Sequence, residues 1–105
     1  MPLTRSFKDT VKARADRDAA FREALLTEGV DALLAGDMDT GKEILRDYIN
    51  ATIGFEKLAE ETGTPAKSLM RMLGPRGNPN ARNLFSMLHR LQSASGVNLR
   101  VRPSR

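Results

Sequence analysis

The chain contains no cysteine and a single histidine, His89. The first absence excludes disulfides, thiolate zinc sites and a cysteine nucleophile. The second excludes a multi-histidine metal site. No stretch approaches the roughly 20 apolar residues that span a bilayer. Met1-Pro2-Leu3-Thr4-Arg5 lacks the apolar core of a signal peptide, so a cytoplasmic location is expected. Also missing are a glycine-rich phosphate loop, a paired nucleophile and base, and a metal-spaced ligand set. Neither enzymatic activity nor a cofactor is therefore expected. A length of 105 residues suits one domain with a compact core.

Acidic residues are absent from the whole C-terminal part. All 13 aspartates and glutamates lie at or before Glu61. Residues 1–64 carry nine bases against those 13 acids, a net −4, whereas residues 65–105 carry eight bases and a net +8. Such asymmetry points to a polyanionic partner for one half. Nucleic acid is the commonest, because neutralising phosphates releases counterions. The alternative is that the basic half pairs with the acidic half of the same chain.

What is plentiful is helix-forming: alanine, leucine, glutamate, lysine and arginine. A short first helix is expected at about 5–14, with Phe7 and Val11 at i, i+4 spacing. Asp18 is a candidate N-cap for a second helix, whose apolar stripe is Leu26, Val30, Leu33 and Leu34, extended by Phe21 and Leu25. Gly36-Asp37 stops it. A third helix starts with Asp37 or Asp39 as cap, or with the capping-box pair Thr40 and Glu43, and its apolar face holds Ile44, Leu45, Tyr48, Ile49 and Ile53. After Gly54 comes a very short fourth helix from Phe55 to about Glu61. Thr64 caps a fifth, with Pro65 at its first position and Leu73 near its end. Asn80 or Asn78 caps a sixth, carrying Leu84, Phe85, Met87, Leu88 and Leu91. The tail Val97-Asn98-Leu99-Arg100-Val101-Arg102 alternates apolar and polar residues, a strand pattern. A lone strand needs a partner, which a second copy of the chain would supply.

The fourth and fifth helices carry the functional argument. Two short helices joined by a tight glycine turn make a helix-turn-helix. Ala59 is small where the helices cross, Leu58, Leu69 and Met72 fill the space between them, and Gly63 gives the turn its backbone freedom. An ordinary helical hairpin is the competing interpretation. The segment resembles phage-repressor-type (Xre-like) helix-turn-helix proteins and, more closely, the antidote (antitoxin) proteins of addiction modules. The resemblance spans Ala32 to Val101. It rests on Leu33-Leu34 before Gly36-Asp37, Leu58-Ala59, Thr62-Gly63, Ser68-Leu69, Gly77-Asn78-Pro79, the Leu84-rich helix and the terminal strand pattern. Thr64 replaces the usual branched apolar residue after the turn glycine, Pro75-Arg76 changes the following loop, and Gln92–Gly96 replaces a more apolar helix end.

The resemblance implies an all-α, five- to six-helix phage-repressor-like domain with a short C-terminal β-strand. Residues 1–36 would form an N-terminal helical extension packed on it, and residues 37–105 the DNA-binding domain. It also implies a transcriptional autoregulator that neutralises a toxin protein, often a small ribonuclease. A stand-alone repressor and a helical protein–protein interaction module are the alternatives.

In this motif the second helix enters the major groove and its N-terminal part meets base edges. The positions expected to face DNA are Pro65, Ala66, Lys67, Ser68, Met70 and Arg71. Lys67 or Arg71 is suited to guanine O6 and N7, and Ala66 and Met70 to a thymine methyl. Ser68 serves bases or phosphate. Arg76, Asn78 and Arg82 flank the helix and are assigned phosphate contacts, although Asn78 equally suits a loop or cap role. Lys67 and Arg71 would otherwise only solubilise an exposed face. Arg100 and Arg102 fit a strand edge protected by charge. His89 is expected at the surface, and the five methionines as core filler. One short reading helix covers only a few base pairs, so a homodimer on two half-sites is expected.

Overall fold

A computed structural model describes residues 3–104, with side chains from residue 9 onward. The chain is all-helical: α1 (Leu3–Arg17), α2 (Ala19–Leu34), α3 (Met38–Ala51), α4 (Phe55–Thr62), α5 (Ala66–Met72) and α6 (Ala81–Ser95). Among the described residues, three helix starts are fixed by side-chain caps. Asp18 accepts from the Phe21 amide at 3.1 Å, Asp37 from Thr40 at 3.2 Å and Asn80 from Asn83 at 2.8 Å. Each satisfies an amide that the first helical turn leaves without an intrahelical partner.

The first helix is longer than expected, reaching Arg17 rather than Arg14. Its last turn is tied down from α2. Arg14 lies over the Phe21 ring, 4.7 Å from its centroid, and pairs with Asp18, while Arg22 donates to the Ala15 carbonyl. Val11 is half-buried, and the Phe7 side chain lies outside the described residues.

The core gathers side chains from α2 through α6. One buried cluster joins Leu26 of α2, Leu45, Tyr48 and Ile49 of α3, Phe55 and Leu58 of α4, and Leu69 of α5 with the adjoining Leu73. Helix α6 closes it with Leu84, Met87, Leu88 and Leu91. Those four positions follow i, i+3, i+4, i+7 spacing, one face of a helix. Phe85 is one residue, about 100°, off that stripe and is 66% exposed. Leu34, the last residue of α2, is also 66% exposed rather than part of the buried stripe. Of the methionines, only Met87 fills the core fully; Met72 packs at its edge, Met38 and Met70 are exposed, and Met1 is outside the described residues.

No strand is found among the described residues, which corrects the expected C-terminal strand. Gly96 ends α6 in the left-handed region, and the tail then runs back along that helix. The Val97 amide donates to the Gln92 carbonyl and the Leu99 amide to Gln92 Oε1, 2.9 Å away. Val97 and Leu99 pack against the core while Val101 stands 80% exposed. The alternation therefore marks an extended segment with one apolar side turned inward, and this chain supplies no neighbouring strand to complete a ladder. Among the described residues no helix is long and apolar enough to cross a membrane.

Candidate nucleic-acid interface

Helices α4 and α5 pack against each other through Leu58 and Leu69, both essentially inaccessible, with Ala59 and Ala66 at the core edge. Gly63 makes the turn. Its φ of 73° lies in the left-handed region, where a Cβ is strained, and its amide closes α4 on the Ala59 carbonyl at 2.9 Å. Thr62 bonds back to the Leu58 carbonyl and receives the Thr64 amide at 3.3 Å. The start of α5 lies one residue later than expected. Pro65 occupies the cap and Thr64 makes no capping bond, because Pro65 is extended (φ −56°, ψ 143°) and its carbonyl already accepts from Ser68 and Leu69.

Of the residues expected to face DNA, Pro65, Lys67, Met70 and Arg71 are exposed. Ala66 and Ser68 are half-buried rather than exposed: Leu69 must point inward, and Ala66 and Ser68 lie at the borders of its stripe, each still partly accessible, with Ala66 packed on the core. The accessible face of α5 is thus Lys67, Met70 and Arg71, at i, i+3, i+4 spacing. Arg76, Asn78 and Arg82 are exposed in the connector and the first turn of α6.

The described ion pairs are Lys12–Asp16, Arg14–Asp18 and Lys42–Asp39. All three lie within the acidic half. None of Lys67, Arg71, Arg76, Arg82, Arg90, Arg100 and Arg102 enters one. Pairing between the two halves, the alternative explanation of the charge asymmetry, is not how the described residues are arranged.

The connector Gly74–Asn80 is built from backbone contacts. Gly77 donates to the Gly74 carbonyl at 2.9 Å, closing a turn with Pro75 and Arg76 at its tip. Gly77 lies flat on the end of α5: a Cβ there would come within 2.1 Å of the Arg71 carbonyl oxygen and 2.3 Å of that of Met72. Only glycine permits that approach. Pro79 is buried behind it, and Asn83 Nδ2 reaches Met72 Sδ at 3.6 Å.

The residue that sequence reasoning missed is Lys42. It is 3% exposed, and its ammonium donates to the carbonyls of Gly74 (2.9 Å), Gly77 (2.7 Å) and Pro75 (3.5 Å). A signal was available: Lys42, Leu45 and Ile49 share the i, i+3, i+7 stripe of α3, so a lysine stands at a core position. Compared with protein-family models, curated proteins and solved structures, the chain matches none.

Proposed function

We propose that this chain is a sequence-specific DNA-binding transcriptional regulator, the antitoxin of a toxin–antitoxin module that represses its own operon from the cytoplasm. One observation carries the DNA-binding part. A glycine-turned pair of short helices presents Lys67, Met70 and Arg71 outward, flanked by Arg76, Asn78 and Arg82, and residues 65–104, which hold these side chains, contain no acid and no described ion pair. The exposed face of α5 enters the major groove, where Lys67 and Arg71 donate to guanine edges and Met70 packs on a thymine methyl. Arg76, Asn78 and Arg82 meet phosphates on either side and set the register. The antitoxin part rests on the resemblance of residues 32–101 to addiction-module antidote proteins. Helix α2, with Glu23, Glu28 and Asp31 against Arg22 alone, gives a basic toxin a complementary surface.

Two copies reading half-sites one DNA turn apart complete the assembly. The tail Val97–Arg102, which leaves Val101 exposed beside α6, is the contact proposed between the two copies. Deleting residues 97–105 and measuring mass in solution tests this; an unchanged dimer refutes it.

Replacing both Lys67 and Arg71 with alanine tests the assignment of the reading helix. Each specific base contact is worth roughly 1–3 kcal/mol, so affinity for the cognate duplex falls about a hundredfold with helical content intact. Equal affinity of wild type and double variant would instead favour a protein–protein interaction module. That reading has its own observation in the exposed Leu34, Phe85 and Val101, which line one open cleft.

A further inference from the structure

We infer that Lys42 is a positioning residue for DNA binding: its buried ammonium gathers the carbonyls of the α5–α6 connector and thereby holds Arg76 and Asn78 where phosphate contacts are made. The inference rests on the DNA-binding reading above.

A lysine on the apolar stripe of a core helix is costly unless its charge is met. Its aliphatic stem is accommodated by the stripe, and a methionine would serve that purpose as well. What methionine cannot do is donate. The ammonium has three donors, and three carbonyls converge on it, those of Gly74, Pro75 and Gly77. Among the described residues Asp39, 3.9 Å away and 91% exposed, is the one carboxylate paired with it, so the charge is met chiefly by backbone dipoles. The choice of lysine is therefore explained by the loop it holds, 32 to 35 residues away in the chain.

That loop needs an external tether. Gly74, Pro75, Arg76, Gly77 and Asn78 contribute no apolar side chain to the core, which resumes at Pro79. Arg76 stands between Pro75 and Gly77, whose carbonyls Lys42 holds, and Asn78 directly follows Gly77. Gly77 is pressed onto the end of α5 from one side and held by Lys42 through its carbonyl. The ammonium also offsets carbonyl dipoles gathered beside the end of α5, on the side where phosphates would otherwise meet partial negative charge. Fixing the tether before DNA arrives removes an ordering cost from binding.

The test uses the full-length chain with Lys42→Met, Lys42→Arg and Arg76→Ala/Asn78→Ala, alone and combined. The probes are the duplex from the chain's own upstream region and a scrambled duplex, titrated over a salt series. Lys42→Met should weaken binding to both duplexes about tenfold and make the salt dependence shallower by about one phosphate contact per subunit. Lys42→Arg, which keeps a charged donor, should recover most of the loss. The Lys42→Met penalty should largely vanish in the Arg76→Ala/Asn78→Ala background, because residues acting through one contact are not additive. A purely structural role would leave the salt slope unchanged and add its penalty in full, and either result overturns the inference.

Amide exchange of Gly77 and Asn78 supplies a readout that needs no DNA: it should be at least about tenfold faster in Lys42→Met, and equal rates would overturn the tether. Wild-type protein that binds neither duplex would refute the DNA-binding reading and this inference together. Wild type that binds, with Lys42→Met indistinguishable from it, would refute the inference alone.

Discussion

Replacing Gly77 with alanine should cost far more than a surface substitution. The added Cβ would meet carbonyl oxygens at 2.1 and 2.3 Å, more than 1 Å inside ordinary van der Waals contact, and both obstacles are backbone. Two escapes exist. If the connector stays in place, the end of α5 must shift, and overpacking of this kind costs about 1–3 kcal/mol. If the connector lifts away, Gly77 pulls its carbonyl from Lys42, and a hydrogen bond to a charged donor is worth about 1.5–3 kcal/mol. Both routes therefore converge on about 2 kcal/mol, which for a domain near this size lowers Tm by roughly 8–16 °C. Gly74 is the internal control. Its added Cβ would meet the Arg71 and Met70 carbonyl oxygens at 3.3 and 3.4 Å, tight by only a few tenths of an ångström, and the loss of unfolded-state freedom on going to alanine, which favours folding by about 0.4–1 kcal/mol, offsets that crowding, so Gly74→Ala should be nearly neutral. Thermal and urea denaturation followed by circular dichroism measure both variants. A Gly77→Ala protein as stable as Gly74→Ala would refute the close-approach argument.

Tyr48, fully buried with its hydroxyl on Ser95, has its pKa raised, chiefly by burial. The fold therefore favours the neutral phenol, a stabilisation complete below the ordinary tyrosine value of about 10 and lost as pH rises through it toward the raised folded value. Tyr48→Phe should cost about 1 kcal/mol at neutral pH and flatten this alkaline loss in denaturant titrations across pH. Asp37 behaves oppositely: the Thr40 side chain and then its amide hold the carboxyl below the usual range. Its contribution is present above the ordinary carboxylate value and lost as pH falls through the lower folded one, so Asp37→Asn should be less sensitive to acid than wild type in the same assay.

The helical architecture was legible because local signals agreed with one another. Asp18, Asp37 and Asn80 each stand where an exposed amide needs an acceptor, and the stripes of α3 and α6 place Leu45, Ile49, Leu84 and Leu91 on one side. The glycine turn between α4 and α5 was legible for the same reason. Pattern failed where neighbours rather than period decide. Leu34 and Phe85 are apolar but lie at the end and off the face of their helices. The tail alternates like a strand, yet Gln92 takes the amide of Leu99. The connector held by Lys42 was invisible for a further reason: its contacts are made by carbonyls, which carry no residue identity, and by a lysine distant in sequence. The electrostatic part of the candidate interface could be read from composition, since the 13 acids all precede Gly63. The half-buried settings of Ala66 and Ser68 could not, because they depend on how closely α5 lies on the core.

The central claim is tested most directly by titrating the protein with its own upstream duplex and with a scrambled duplex over a salt series. With phosphate contacts from Arg76 and Arg82 of two subunits, as proposed above, about four phosphates would be neutralised, so log affinity should fall with log salt at a slope of roughly −3.6 or steeper. The upstream duplex should be preferred by at least about a thousandfold. Equal, weak binding to both duplexes, with a shallow slope, would contradict the account.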